Sequence, residues 1–150
     1  MEQSVKKNGQ GEVSALDDPR LQKLGTKSNN GQGNRHKARE LTLQALYQSD
    51  ISGDDISNAV EQLCLENRGG RADLVYFKRI AKGAWSRLAE LDQLIADAAI
   101  NWTTQRIATI DRNILRQGVY ELLAETDLPE RVIINEAIEL SKKFGGKGSK

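Results

Sequence analysis

The stretch I-A-T-I-D-R-N-I-L-R-Q-G-V-Y-E-L-L, residues 107–123, decides the fold of this chain. Ile107, Ile110 and Ile114 recur at helical spacing, and Leu115, Gly118, Val119 and Leu122 widen the stripe. A stripe that broad predicts a central helix with neighbours on more than one side. Gly118 costs about 1 kcal/mol relative to alanine in a helix interior, so a close-passing backbone is expected there. Arg112, Arg116 and Tyr120 follow one another at four-residue intervals, which predicts a basic, aromatic face turned towards a partner.

Outward from that helix the pattern stays helical. Residues 1–34 carry seven apolar side chains (Met1, Val5, Val13, Ala15, Leu16, Leu21, Leu24) and five glycines. So little apolar surface cannot offset the entropy of ordering, and a disordered N-terminal tail is expected. Asn34 then reads as the N-cap of a first helix over 35–49, with Ala38, Leu41, Ala45 and Leu46 inside. Arg35, His36, Lys37 and Arg39 crowd its first turn, where the helix dipole disfavours cations. The pattern suits a solvated helix end or a patch for an anion.

Ile56, Ala59, Val60, Leu63 and Cys64 give a second helix one complete stripe, which Gly69-Gly70 closes. Cys64 on that stripe reads as core. A third helix over 73–88 carries Leu74, Phe77, Ala81, Ala84, Trp85 and Leu88, with Lys78 and Lys82 solvated opposite. A fourth over 91–102 carries Leu94, Ile95, Ala98 and Ala99, and places Trp102 at a junction. After the central helix, Asp127-Leu128-Pro129-Glu130 spells a capping box, with Asp127 as N-cap. Val132, Ile133, Ala137, Ile138, Leu140 and Phe144 make the last helix apolar over a broad face.

The formal net charge is +1, so an anionic partner must be met by a local patch. One cysteine excludes an internal disulfide, and no apolar run reaches the roughly 18–20 residues a bilayer requires. The N-terminus shows no secretory core, and a cytoplasmic protein without a membrane role is expected. The Asn101-Trp102-Thr103 sequon is then chance. One histidine and one cysteine give no zinc set, so no metal or other cofactor is expected. The F-G-G-K-G-S-K end fails as a phosphate loop, because Ser141 stands where the first glycine belongs and Gly148 follows Lys147. No catalytic motif is found, and the chain reads as a non-enzyme.

Four stretches resemble the NusB family of transcription antitermination factors: R-H-K-A-R-E-L-T-L-Q-A-L-Y at 35–47, Y-F at 76–77, I-D-R-N-I-L-R-Q-G-V-Y-E-L-L at 110–123 and L-P-E-R-V-I-I-N-E-A-I-E-L-S-K-K-F-G at 128–145. The resemblance implies an all-α domain over 35–150, two small helical bundles packed crosswise. It also implies function. The protein would pair with the ribosomal protein NusE, bind single-stranded boxA RNA and help the transcription elongation complex read through terminators, notably on ribosomal RNA operons. The family's basic arm falls on Arg35, His36, Lys37 and Arg39, and its following aromatic on Tyr47. Tyr76 and Asp127 fall on the RNA-facing side, and Arg112 and Arg116 join them from the central helix. The free protein would be a monomer or weak homodimer.

Cationic contacts to phosphate and aromatic stacking, worth about 1–3 kcal/mol per base, are what single-stranded RNA requires. Two further readings keep the fold and change the role: the NusB-like RNA-binding module of an rRNA cytosine methyltransferase, or a helical adaptor for protein alone. One departure from the family stands out. Its final helix, beginning F-V-N-G-V-L, has no counterpart here. Truncation, or cover by a second copy, is expected to follow, and part of the apolar face of 132–144 should lie open.

Overall fold

In a computed structural model, residues 28–98 and 107–145 are described. They form six helices: α1 (Ser28–Ser52), α2 (Ile56–Glu66), α3 (Leu74–Ser86), α4 (Leu88–Ala98), α5 (Thr109–Ala124) and α6 (Glu130–Phe144), and no strand occurs among the described residues. Helices α1, α2 and α3 pack together as one group. In the second group α5 packs against both α4 and α6, and α5 also meets α1 and α3. The central position expected for the 107–123 stretch is therefore where α5 lies.

The larger core belongs to the first group. Leu46 of α1, Val60 and Leu63 of α2, and Phe77, Ile80 and Ala84 of α3 all bury there, each where an i, i+3, i+4 stripe puts it. Leu43 faces away from that core and joins Ile114 and Leu140 in a smaller cluster, the apolar link from α1 to α5 and α6. Cys64 is half-buried against the larger core.

Local signals set the ends of the helices. Asp55 accepts the Ser57 N–H at 3.1 Å and starts α2. Asp73 accepts the Tyr76 N–H at 3.0 Å and starts α3. Gly69 turns the α2–α3 connection at φ 86°, a conformation that suits glycine.

Three expected boundaries are corrected. Helix α1 begins at Ser28, inside the tail expected to be disordered, whose residues 1–27 lie outside the described residues; Asn34 is therefore an interior residue, and its carbonyl accepts the Asp73 N–H at 3.0 Å. Once the turns around Ala38 are packed, extending the helix backwards adds a hydrogen bond per residue without a new nucleus. Helix α4 starts at Leu88, three residues early, and Trp102 lies outside the described residues. The Asp127 capping box does not form. Pro129 is the N-cap of α6, with φ −62° and its carbonyl accepting from Val132 at 3.0 Å and Ile133 at 3.4 Å. The ring presets the backbone for the cap, which leaves Asp127 exposed in the preceding turn.

The interior of α5 is the largest departure. Its buried residues are Asn113, Ile114, Arg116, Gln117 and Glu121, while Leu115, Leu122 and Leu123 stay 37–42% exposed. Ile134, Ile138 and Phe144 of α6 are exposed as well, so part of the last helix's apolar face is open, as its sequence implied.

Candidate nucleic-acid interface

The face of α1 that carries the basic cluster does not present all four side chains to solvent. Arg39 is 2% exposed, with its Nε 3.0 and 2.9 Å from the two oxygens of Glu121 on α5. Tyr76, 1% exposed, donates its hydroxyl to the same carboxylate in a short hydrogen bond. Burial raises the Tyr76 phenol above its ordinary value and its bond to Glu121 adds to this, so it stays a donor. Burial also raises the Glu121 carboxyl, against the pull of Arg39 and Tyr76. Gln117 closes the group by donating to the Arg39 carbonyl at 3.0 Å.

This overturns two expected RNA contacts. Arg39 and Tyr76 are interior groups that join α1 and α3 to α5, and no strand can stack on a ring buried beneath three guanidinium groups. The Arg35, Arg39 and Arg79 guanidinium carbons lie 4.4, 5.4 and 5.1 Å from the centre of that ring.

Arg112 and Arg116 are corrected likewise. Arg116 is 7% exposed and grips Asp92 of α4 through two 2.7 Å bonds. Asp50 of α1 accepts from Arg112 at 2.9 Å, Asn113 at 3.0 Å and Arg116 at 3.1 Å. Burial works against the Asp50 charge, but the Arg112 and Asn113 bonds and the Arg116 charge hold its carboxyl below the usual range. Tyr120 packs its ring on Gly83 of α3, where a Cβ would collide with the phenol. The face predicted for a partner is thus turned inward, onto acids supplied by other helices. Gly83, not Gly118, is the glycine that a close approach requires. A Cβ at Gly118 would meet only the Ala137 Cβ, at 3.7 Å.

Of the expected contacts that stay accessible, Lys37 and Tyr47 meet in a groove of about 540 Å³. Lys37, Glu40, Gln44 and Tyr47 line it from successive turns of α1, Arg71 from the α2–α3 connection, Ile110 from α5 and Phe144 from α6. Lys37 is 62% exposed, and Tyr47 and Phe144 are 39% and 40% exposed. Arg35 stands outside the lining, stacked on Tyr76 and 4.0 Å from Asp73. His36 spans two carboxylates, Nδ1 at 2.7 Å from Glu136 and Nε2 at 3.2 Å from Glu40. Asp127 is exposed but lines no part of the groove.

The sequence reading missed Arg71, Gln44 and Phe144. Arg71 directly follows the Gly69-Gly70 turn, a signal for an exposed cation held on a fixed loop. Phe144 could only be assigned to the core from its stripe. Two rings, two cations and two polar amides along one depression can hold the bases and phosphates of a single strand. Among the described residues no histidine, cysteine and carboxylate group is placed to hold a metal ion, and no helix is long and apolar enough to cross a membrane.

The described residues define an all-helical protein with a groove lined by cations and aromatic rings. The profile of the NusB family matches residues 36–150, and the chain belongs to that family. It is 37% identical over 115 residues to the transcription antitermination protein NusB of Dehalococcoides mccartyi strain CBDB1, covering 77% of this chain and 80% of that one. Against the NusB of Symbiobacterium thermophilum it is 42% identical over 118 residues, covering 73% and 77%. The solved structure of T. maritima NusB superposes with a TM-score of 0.67 at 32% identity, covering 77% of this chain and 81% of that one. A crystal structure of the antitermination factors NusB and NusE in complex with dsRNA superposes with a TM-score of 0.68, covering 82% and 89%. At 22% identity that last likeness is one of fold. These relatives are named for transcription antitermination.

Proposed function

We propose that this chain is an RNA-binding antitermination factor that pairs with NusE and receives single-stranded boxA-type RNA along the α1 groove, promoting read-through notably on ribosomal RNA operons. The observation that carries the site is the convergence of Lys37, Tyr47, Arg71 and Phe144 on one depression. Lys37 and Arg71 contact phosphate, and Tyr47 and Phe144 offer faces to bases. Arg35, His36 and Asp127 flank the path, whereas Arg39, Tyr76, Arg112 and Arg116 hold the helices that form it.

The protein acts on the transcription elongation complex in the cytoplasm, where nascent RNA is displayed. The binding domain over 35–150 is continued backwards by α1 to Ser28. The free protein is a monomer or weak homodimer, the exposed leucines of α5 and isoleucines of α6 being the surface a second copy would cover.

Fluorescence anisotropy of a boxA oligomer, beside a scrambled one and with or without NusE, tests the reading. Selective binding strengthened by NusE is the expected result. Binding indifferent to sequence and to NusE would remove it.

A further inference from the structure

The groove contains an acid that an RNA site does not need. Glu40 lies one turn after Lys37 on α1, lines the depression and is 12% exposed. Lys143 Nζ lies 2.7 Å from its Oε2, His36 Nε2 3.2 Å from the same oxygen, and Lys37 Nζ 4.0 Å from its Oε1. Both lysines reach it from solvent, being 62% and 55% exposed at positions 37 and 143. Lys143 also stands 5.3 Å from the Phe144 ring that lines the groove, so the cations held by Glu40 border the aromatic wall.

A carboxylate so placed acts against a polyanion in two ways. It repels phosphate within a Debye length of about 8 Å at physiological salt, and it engages ammonium groups that phosphate would otherwise engage. Exposed pairs of this kind are weak, so a strand can displace them.

On the reading that the groove takes RNA, we infer that Glu40 is an internal counter-charge that sets the affinity threshold of the site. With the groove empty it engages Lys37 and Lys143, and a bound strand takes them over for its phosphates. Every polyanion meets that same opposition. Only a strand with unstacked bases offsets it, by stacking on Tyr47 and Phe144. Glu40 thereby lowers the affinity of every polyanion alike, so that only a strand whose bases also stack is held tightly.

The test compares the wild-type protein with Glu40→Gln, Lys37→Ala and Lys143→Gln, titrated with a boxA oligomer over a range of salt and, separately, with inorganic polyphosphate. Glu40→Gln is expected to bind RNA about two- to fivefold tighter. Its log–log salt slope should steepen by about 0.7 for each further phosphate that the freed lysines engage. Polyphosphate titrated alone should bind this variant tighter by a similar factor. Equal or weaker RNA binding by a folded Glu40→Gln, or unchanged polyphosphate affinity, overturns the inference. Should Glu40→Gln melt early, Lys143→Gln decides instead. A slope flattened by about 0.7 supports the inference and an unchanged slope overturns it. RNA binding indifferent to Lys37→Ala indicts the groove itself, which separates failure of the site from failure of the Glu40 role.

Discussion

Arg39 and Glu121, eighty-two residues apart, meet inside the protein with each side chain 2% exposed. The pair joins α1 to α5 beneath the basic cluster, and Tyr76 brings α3 to the same carboxylate. A buried ion pair of this kind contributes little net stability against an apolar substitute of similar volume. Breaking it is costly, because one charge is left without its partner.

Removing one partner should therefore cost far more than removing both. Arg39→Met and Glu121→Met are each expected to lower unfolding free energy by about 3–5 kcal/mol, and the two combined to recover most of that loss. Urea denaturation of the two single variants and the double variant measures the coupling. Additive losses would contradict it. Arg39→Ala should likewise weaken the fold before it reports on RNA.

The two helical glycines should respond in opposite directions. At Gly118 a methyl group finds ordinary contact with Ala137, so Gly118→Ala should stabilise by up to about 1 kcal/mol. At Gly83 the methyl group would strike the Tyr120 ring, and Gly83→Ala should destabilise by about 1–3 kcal/mol. Thermal melts of both variants suffice, and a stabilised Gly83→Ala would show that Tyr120 lies elsewhere.

Asp50 links stability to acid pH. Its carboxyl titrates below the unfolded value of about 3.9, so its contribution is complete above that pH and is lost as pH falls through the folded value. Glu121, raised in the folded protein, acts in the opposite sense. Comparing urea midpoints of wild type and Asp50→Asn between pH 7 and pH 2 isolates Asp50. The gap between them should narrow below about pH 4. A constant gap would mean that Asp50 is not held by its arginines.

Groove and interior residues should separate in binding assays. Tyr47→Ala and Phe144→Ala are each expected to weaken RNA binding by about 1–3 kcal/mol. Lys37→Ala and Arg71→Ala should each flatten the log–log salt slope by about 0.7. Arg116→Ala should reduce stability, with the salt slope of the folded fraction kept. Equal slopes in all of these variants would count against the groove.

Much of the fold was legible because helix stripes are local. Ile56, Ala59, Val60 and Leu63 all bury as their spacing demands, and Asp73 caps α3 as a carboxylate before an apolar run should. The interior of α5 was not legible. Periodicity sorts residues by hydropathy and assumes that the polar side meets water. Here that side meets Asp50, Asp92 and Arg39, which come from helices distant in sequence. The same limit divided the basic cluster. Lys37 and Arg39 look alike in the chain, yet about 200° of helical rotation sends one to solvent and the other into the core. Tyr47 could be placed from the sequence. Arg71 and Phe144 could not, since their relation to it exists only after packing.

Helix α4 buries only Leu91 and Ile95 among its described side chains, and Arg116 holds it through the paired bonds to Asp92. A helix attached by so small an apolar anchor and one charged clasp is a unit that opens by itself. Its amides should exchange with solvent ahead of those in α1 and α3, and added salt, by screening the clasp, should hasten that exchange before the rest of the domain loosens.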